Sequence, residues 1–202
     1  MSDILHGIDI SHYNDIQTAD IIKTARDGFV MMKATEGKSF IDHSSIIRAY
    51  HITQAVAVKP EIYSYGFYHY CRPEIGNSPY VEAMHFVRTI SKHIGSAVLA
   101  IDVEQKALEY PNLDRWVLSW LRSVEAMTGV KPLVYCQRSA LKLLPSAAAN
   151  DYGLWLAAWT KQRPKTIAPW KICAIWQYSA DGIDKDIFYG GKEQFLKYAE
   201  VK

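Results

Sequence analysis

Two acidic residues, Asp102 and Glu104, follow an apolar run and are separated from each other by one residue. The apolar run, residues 97–101, is typical of a buried strand, on which side chains at i and i+2 share a face roughly 6.6–7 Å apart. Two carboxyl groups that close to an apolar interior cannot both ionise easily, so one keeps its proton to a higher pH. A protonated acid beside a carboxylate is the pair that glycosidic bond hydrolysis uses. Such a pair also occurs as a strand cap or as the partner of a basic residue.

Polar side chains end the other apolar runs as well, which points to one shared site. Asp9 lies inside an otherwise apolar run, where an acid is tolerated mainly when it is paired or functional. In barrels of alternating strands and helices the active site forms at the carboxyl ends of the strands, so these side chains are expected to meet at one mouth. The catalytic candidates are Asp9, Asp102, Glu104 and Asp184. The substrate-binding candidates are Lys33, Glu36, Tyr68, His69, Tyr135, Trp159 and Gln177.

Several of these side chains have simpler uses than catalysis. Lys33 and Glu36 have the spacing of an ion pair that compensates a buried charge. The aromatic candidates can fill the core, although their position at strand ends favours a platform for a sugar ring. His12 and His69 beside Asp9 could bind a metal ion, but no paired-histidine spacing supports this, and neutral hydrogen-bonding histidines are expected instead. We therefore predict no metal and no cofactor.

The elements that must position these residues alternate along the chain. Short apolar, β-branched or aromatic runs predict strands, and segments with helical periodicity lie between most of them. Seven or eight such units in one domain predict an α/β fold with a closed, TIM-like (β/α) barrel, in which some helices must be short or missing because the chain is short. An open doubly wound sheet is the alternative, but no glycine-rich phosphate loop follows the first run. The predicted strands are residues 5–10, 29–33, 61–70, 97–103, 133–136, 154–158 and 172–177.

The clearest predicted helix covers residues 113–128, and Gly129 stands where a C-cap would end it. Weaker apolar periodicity predicts helices around residues 46–53 and 81–88, with a short helix at 194–201. The apolar stripe of the clearest helix consists of Leu113, Trp116, Val117, Trp120, Leu121 and Val124. The two weaker stripes consist of Ile46, Ala49, Tyr50 and Thr53, and of Val81, Met84, His85 and Arg88.

The composition is that of an ordinary globular protein with many aromatic residues. A length of 202 residues suits one domain over 1–202, and the net charge of +2 gives no support for nucleic-acid binding. The 13 tyrosines and 6 tryptophans suit stacking on sugars. No signal peptide or membrane-spanning run is recognised. Cys71, Cys136 and Cys173 are expected to be reduced, buried and strand-associated, because their number and spacing fit neither a disulfide framework nor a zinc site.

At this point the sequence resembles a known family, the glycoside hydrolase family 25 lysozymes, or Chalaropsis-type N-acetylmuramidases. The matching pieces occur in the order of the family and cover about residues 5–190. They read GIDIS at 7–11, KATEG at 33–37, GFYHY at 66–70, IDVE at 101–104, LVY at 133–135, LWLAAW at 154–159, IWQYS at 175–179 and GIDKD at 182–186.

The resemblance implies a slightly flattened, irregular (β/α) barrel that hydrolyses the β-1,4 bond between N-acetylmuramic acid and N-acetylglucosamine in peptidoglycan. It implies that Glu104 is the general acid, that Asp102 helps set its charge state, and that Asp9 and Asp184 complete the acidic cluster. Asp186 departs from the family pattern, which usually has Asn there, and this leaves open whether Asp184 or Asp186 faces the groove. The groove-lining residues that it implies are Tyr68, Tyr135, Trp159 and Gln177.

The resemblance leaves several questions open. Retention with attack by the acetamido group of the substrate is favoured over a carboxylate nucleophile, with Asp102 or Asp184 orienting that group. A chitinase-like endoglycosidase and a non-catalytic peptidoglycan-binding module are the competing functions. The expected partner is peptidoglycan glycan strands, bound by a monomer without nucleic acid or membrane insertion. A wall hydrolase without a signal peptide suggests a phage endolysin, with a host enzyme exported by another route as the alternative.

Overall fold

The computed structural model describes residues 4–58 and 62–202. Within them, the strands are β1 (Leu5–Ile10), β2 (Phe29–Glu36), β3 (Phe40–Ile41), β4 (Tyr65–Tyr70), β5 (Val98–Val103), β6 (Leu133–Gln137), β7 (Leu154–Ala157), β8 (Cys173–Ser179) and β9 (Asp184–Phe188). The α-helices are α1 (Thr18–Asp27), α2 (His43–Val58), α3 (Pro79–Thr89), α4 (Leu113–Thr128), α5 (Pro145–Ala149) and α6 (Lys192–Leu196). Short 3₁₀ turns follow several of the strands.

Eight of these strands close into a barrel. The strands pair in the order β1-β9-β8-β7-β6-β5-β4-β2, and β1 also pairs with β2, which closes the circle. All neighbours are parallel except at β9, which runs antiparallel to both β1 and β8. β3 is a two-residue strand attached to β2 outside the closed circle. The barrel prediction is therefore confirmed, and the open doubly wound sheet is excluded because β1 has a partner on each side.

The helical layer is incomplete, as the length of the chain predicted. Helices α1 to α4 have 10 to 16 residues each, whereas α5 and α6 have five. Residues 158–172, all of which the structure describes, connect β7 to β8 without a helix. This half of the barrel is covered by irregular chain instead.

Strand alternation separates two apolar cores. Along β5, Val98 and Ala100 belong to the cluster inside the barrel, whereas Leu99 and Ile101 belong to the cluster under the helices. The same period of two aims Asp102 into the barrel at its carboxyl end. Below it, large apolar side chains fill most of the interior and form the floor of the site. That floor includes Phe29, Met31, Leu133, Trp155 and Phe188.

The helix predictions differ in how well their buried faces were assigned. All six residues of the predicted stripe on α4 are buried, and Gly129 ends the helix with a left-handed φ of 70°. On α3 the buried residues are Glu82, Ala83 and Phe86, so the predicted stripe there is wrong by about one position. The error arises because Glu82, a charged residue, lies on the buried face.

Some helix and strand boundaries, and the number of strands, also differ from the predictions. The last helix is α6, which ends at Leu196 rather than covering residues 194–201. β3 and β9 were not predicted. Residue 61, the first of the third predicted strand, lies outside the described residues, and β4 begins at Tyr65.

The three cysteines are buried and have free thiols. Cys136 and Cys173 lie on strands β6 and β8, and Cys71 directly follows β4. Among the described residues, no helix combines the length and the apolar character needed to cross a lipid bilayer.

Candidate active site

A cavity of about 150 Å³ opens at the carboxyl ends of the parallel strands. β9 runs in the opposite direction, so its first residue, Asp184, lies at the same mouth as the last residues of the other strands. In the pairing of β1 with β9, Asp184 stands directly opposite Asp9. The side chains that line the cavity are Asp9, Tyr68, Asp102, Glu104, Tyr135, Trp155, Trp159, Gln177 and Asp184.

Asp102 and Glu104 share one face, as their spacing predicts. Glu104 directly follows β5 with extended dihedral angles of −149° and 178°, which continue the alternation of the strand. The next residue, Gln105, has a left-handed φ of 51° and turns the chain away into a 3₁₀ helix. A non-glycine residue in this conformation stores strain, and here it fixes the end of the strand that presents Glu104.

The pair has a strong affinity for one proton. Burial, and then the charge of Glu104, raises the pKa of Asp102 well above its usual value. Burial also raises the pKa of Glu104, and Asp184 adds to that increase. The ammonium group of Lys33 opposes both shifts by favouring the ionised carboxylates. Because Oδ1 of Asp102 is buried without a hydrogen-bond partner among the described residues, the structure stabilises a second charge poorly.

Gln177 connects the other two acids to the aromatic wall. Its Nε2 donates to Oδ2 of Asp9 at 2.8 Å and to Oδ2 of Asp184 at 3.3 Å. Its Oε1 accepts from the hydroxyl of Tyr135 at 3.1 Å and from Nε1 of Trp159 at 3.2 Å. These four contacts fix the orientation of the amide, and the amide in turn fixes the two carboxyl groups across the cavity from Asp102 and Glu104.

Asp184, and not Asp186, lines the cavity. Asp186 also faces the barrel interior, but one layer deeper, where it is fully buried and its Oδ1 accepts from Nε1 of Trp155 at 2.8 Å. Burial raises its pKa to about 7. Burial, and then the charges of Asp186 and Asp184, raises the pKa of Asp9 well above its usual value. Asp9, in the cavity lining, and Asp186, one layer deeper, therefore form a second buried acidic pair.

Replacing Asp186 by Asn should make stability less dependent on pH. The pKa of Asp186 rises from 3.8 to about 7 on folding, so the native state holds a proton that the unfolded chain loses near pH 4. The free energy of unfolding of the wild type therefore falls between about pH 4 and pH 7. In Asp186→Asn that slope should be shallower by about 1.4 kcal/mol per pH unit, since one fewer proton is involved.

Urea denaturation at several pH values between 4 and 7 measures this difference. The amide of Asn can still accept from Trp155 and can donate to Asp9, so the packing is preserved. Asp20→Asn, which changes an exposed acid on α1, is the matched control and should leave the slope unchanged. Identical slopes for the wild type and Asp186→Asn would show that Asp186 is ionised throughout this range.

The aromatic candidates Tyr68, Tyr135 and Trp159 line the cavity, as their positions at strand ends predict. Tyr68 and Tyr135 face the cavity from β4 and β6, and burial raises the pKa of both hydroxyls, so they stay protonated as hydrogen-bond donors. Trp159 follows β7 and is 66% exposed, with its ring at the cavity edge. Trp155, which was not among the candidates, also lines the cavity from β7. Its inward position follows from alternation along the strand.

Lys33 and Glu36 lie beside the cavity rather than in its lining. Nζ of Lys33 is 2.7 Å from Oε2 of Glu36 and 4.6 Å from the centre of the Tyr70 ring. Oε1 of Glu36 accepts from Nη1 of Arg72 at 2.5 Å. Arg72 also donates to Glu74. This geometry agrees with the prediction that Lys33 and Glu36 form an ion pair. Tyr70, Arg72 and Glu74, which were not predicted, belong to the same network of contacts.

His69 does not face the cavity. It is adjacent to the inward-facing Tyr68 on β4, so alternation turns it outward, where its side chain is fully buried under helices α3 and α4. Its Nε2 lies 2.8 Å from Oε2 of Glu82, and its Nδ1 lies 2.8 Å from Oγ1 of Thr35. Burial lowers the pKa of His69, which favours the neutral form of the ring. The prediction that His69 binds substrate is therefore wrong, because its side chain is fully buried.

Glu82 holds together the segment that follows β4. Its carboxylate accepts from His69, from the backbone N–H of Arg72 at 3.1 Å and from Nδ2 of Asn77 at 2.7 Å. Glu82→Ala would leave these buried donors without an acceptor, and we expect a loss of about 3 kcal/mol or more in the free energy of unfolding. Equilibrium urea denaturation checks this, with the exposed Glu109→Ala as the control. A loss below about 0.5 kcal/mol would mean that this network is dispensable.

Among residues 4–58 and 62–202, no group of three or more His, Cys, Asp and Glu side chains has an arrangement that could hold a metal ion. The histidines near the mouth have other contacts. Nδ1 of His12 lies 3.1 Å from Oδ2 of Asp42, and His69 is enclosed as described.

Comparison with known proteins agrees with the barrel fold. A model of the family described as glycosyl hydrolases family 25 matches residues 8–187, which extend from β1 into β9. A protein of Escherichia coli strain K12, called uncharacterized protein YegX, is 28% identical over 211 residues, covering 97% of this chain and 74% of that protein.

Two solved structures have closely similar folds. A family GH25 lysozyme from Aspergillus fumigatus superposes with a TM-score of 0.77 at 24% identity, covering 98% of this chain and 100% of that one. The catalytic domain of endolysin ply40 from bacteriophage P40 of Listeria monocytogenes superposes with a TM-score of 0.71 at 19% identity, covering 99% and 98%. At these identities the likeness concerns the fold.

Proposed function

The chain belongs to glycosyl hydrolase family 25, and from this premise we propose that it is a muramidase that hydrolyses the β-1,4 bond between N-acetylmuramic acid and N-acetylglucosamine in bacterial peptidoglycan. The observation that carries the proposal is the meeting of Asp102 and Glu104 with Asp9 and Asp184 around one small cavity. Acids on two sides and an aromatic rim suit a sugar whose bond is broken through a positively charged transition state.

In the proposed reaction Glu104 supplies the proton. It is the less buried member of its pair, and burial raises its pKa. A carboxylic acid at this position can protonate the glycosidic oxygen as the bond from that oxygen to C1 breaks. Asp102, below it on β5, completes a pair that retains one proton, so the proton remains available at a pH at which an isolated carboxyl group has lost it.

The second bond change is proposed to use the substrate itself. The carbonyl oxygen of the N-acetyl group attacks C1 from the face opposite the leaving oxygen, which gives a cyclic intermediate. Asp184, which is partly exposed in the cavity and contacts Gln177 at 3.3 Å, is positioned to accept a hydrogen bond from the acetamido N–H. Water then adds to C1 as the bond from C1 to the acetamido oxygen breaks, which restores the N-acetyl group, and the water gives one proton to Glu104. Two displacements at the same carbon retain its configuration.

The remaining cavity residues are proposed to bind and orient the sugars. The exposed ring of Trp159 offers a flat apolar face, and Tyr68 and Tyr135 offer hydroxyl groups in a largely dry wall. Gln177 holds Asp9 and Asp184 in place. All described elements belong to the barrel or cover it, which supports one catalytic domain over residues 1–202. The proposal takes this domain to act as a monomer.

Mass spectrometry of a peptidoglycan digest tests the proposal. Purified wall polymer is incubated with the protein, and the soluble fragments are reduced with borohydride to label new reducing ends. The proposal predicts that the reduced ends are N-acetylmuramic acid. Reduced ends on N-acetylglucosamine, or cleavage of chitin oligomers without cleavage of peptidoglycan, would replace it by another glycosidase activity. Binding to the wall without any fragments would favour a non-catalytic module.

The bacterial cell wall is the proposed place of action. The proposed route to the wall is phage lysis, and the catalytic domain of a phage endolysin is among the proteins with a similar fold. Expression in a bacterial cytoplasm tests this route. Lysis is expected only when a membrane-permeabilising phage protein is produced at the same time, and lysis without it would indicate another way to the wall.

A further inference from the structure

An exposed aromatic cluster lies on the β1–β2 side of the cavity. It consists of His12, Tyr13 and Phe40, called here the aromatic platform. The ring centres of His12 and Tyr13 are 3.9 Å apart, and those of His12 and Phe40 are 5.3 Å apart. Tyr13 is 83% exposed and Phe40 is 41% exposed. Large apolar rings in contact with each other and with water are typical of binding surfaces.

The turn that carries Tyr13 is fixed by hydrogen bonds. The guanidinium group of Arg48 donates to the carbonyl oxygen of Ser11 at 2.9 Å and to that of Asn14 at 2.7 Å. The side chain of Asn14 accepts from the backbone N–H of Ser11 at 2.8 Å. A helix residue thus pins both ends of the turn, so Tyr13 projects from a rigid base rather than from a loose loop.

A buried carboxylate fixes His12 in the same way. Oδ2 of Asp42 accepts from the backbone N–H of His12 at 2.7 Å and lies 3.1 Å from Nδ1 of the ring. Oδ1 of Asp42 accepts from the backbone N–H of Ser45 at 3.1 Å, and the side chain of Asp42 is fully buried. The carbonyl oxygen of Phe40 lies 2.9 Å from Nε2 of His85. Each ring of the platform is therefore attached to an ordered part of the fold.

The platform is linked to the cavity by a chain of side-chain contacts. Nζ of Lys33 lies 5.7 Å from the centre of the Phe40 ring and 4.6 Å from the centre of the Tyr70 ring. Tyr70 in turn lies close enough to Glu104 that the charge of this cavity residue acts on its hydroxyl group. A chain of contacts thus leads from the acids, over Tyr70 and Lys33, to the exposed rings.

We infer that the aromatic platform is a glycan subsite, in which Tyr13 stacks against a sugar ring of the strand beyond the sugars held in the cavity. The inference rests on the proposed function. Sugar rings have apolar faces of C–H groups, which pack on aromatic rings. A ring on a fixed turn loses little conformational entropy when a ligand binds. More of the favourable stacking energy therefore contributes to affinity.

Kinetics on long and short substrates test the inference. On long glycan strands, Tyr13→Ala should raise KM about three- to tenfold with kcat unchanged. On the shortest fragment that the wild type cleaves, the same variant should behave as the wild type. Tyr13→Trp, which keeps an aromatic face, should restore KM. Tyr50→Ala is the matched control, since Tyr50 is 57% exposed on α2 and also contacts a histidine ring.

Binding of long strands to proteins that carry Glu104→Gln provides a readout without turnover. Adding Tyr13→Ala should raise Kd by the same factor, and adding Tyr50→Ala should not. Equal constants for Tyr13→Ala and Tyr50→Ala would overturn the inference, as would an equal effect of Tyr13→Ala on long and short substrates. A wild type that leaves peptidoglycan intact would instead refute the proposed function, so the two failures are distinguishable.

Discussion

Glu104→Gln is expected to lower kcat for peptidoglycan hydrolysis by about 10³-fold, with the fold and substrate binding preserved. Gln has nearly the shape of Glu but has no acidic proton, so the leaving oxygen must depart as an anion. Glu104 lies in an extended segment after β5, and its side chain makes no hydrogen bond to residues 4–58 or 62–202 that Gln would break. Turbidity clearing by the purified variant, together with its melting temperature, measures both parts of this prediction.

A substrate with a good leaving group separates acid catalysis from structural damage. An aryl glycoside of an N-acetylglucosamine oligomer needs little protonation, so the first turnover of Glu104→Gln on it should be impaired much less than cleavage of peptidoglycan. Glu109→Gln, on the exposed side of the next 3₁₀ turn, serves as the control. Equal losses on both substrates would show that the variant lacks more than the acid, and clearing at the wild-type rate would remove Glu104 from the mechanism.

Asp102→Asn is expected to lower kcat/KM at neutral pH by about 10²-fold and to move the alkaline limb of the pH profile to lower pH. In the wild type, the nearby carboxyl groups bind one proton tightly because both are buried and the charge of Glu104 disfavours ionisation of Asp102. Without Asp102, whose pKa is raised well above its usual value, Glu104 alone must hold the proton that the pair held, so a smaller fraction of the enzyme is protonated at neutral pH. The loss should therefore be smaller in acid.

Profiles of kcat/KM between pH 3 and pH 8 measure this shift. Asp20→Asn on the surface of α1 should have the profile of the wild type. A variant that is equally impaired at every pH would indicate that Asp102 contacts the substrate without affecting the proton on Glu104. An unchanged alkaline limb with full activity would mean that the two carboxyl groups are independent.

The parts of the site that could be predicted from the sequence depend on short-range rules. The spacing of Asp102 and Glu104 after an apolar run was sufficient to predict that both face one side, because alternation along a strand is a local property. The same holds for the buried stripe and the C-cap of α4. The barrel followed from the number of strand and helix units, and its incomplete helical layer followed from the length of the chain.

β9 could not be recognised in the same way. Its sequence, Asp184-Lys185-Asp186-Ile187-Phe188, has three charged residues in five and does not look like a barrel strand. It is a strand because β1 and β8 leave one gap, which the antiparallel segment that follows β8 after a short turn fills. Closure of the barrel is a tertiary effect, and it decides that Asp184 lines the cavity while Asp186 is buried below.

The buried polar network around Glu82 could not be predicted from local sequence patterns either. Applying strand alternation to Tyr68 and His69 would have assigned only one of them to the cavity. The partner of His69, however, is Glu82, which lies 13 residues away on a helix. Glu82 is buried, whereas glutamates are usually exposed. Arg72 joins Glu36 across 36 residues. Such contacts depend on how the helices pack on the barrel, which periodicity alone does not determine.

The most direct test of the central claim is a carboxyl ¹³C NMR titration of the protein labelled at Asp and Glu, with the signals of Asp102 and Glu104 identified from their loss in Asp102→Asn and Glu104→Gln. We predict that the pair releases its last proton well above the usual values of 3.8 and 4.5, and that the remaining carboxyl group in each variant titrates at lower pH than that step. If both carboxyl groups of the wild type titrate at their usual values, the proton donor proposed here does not exist.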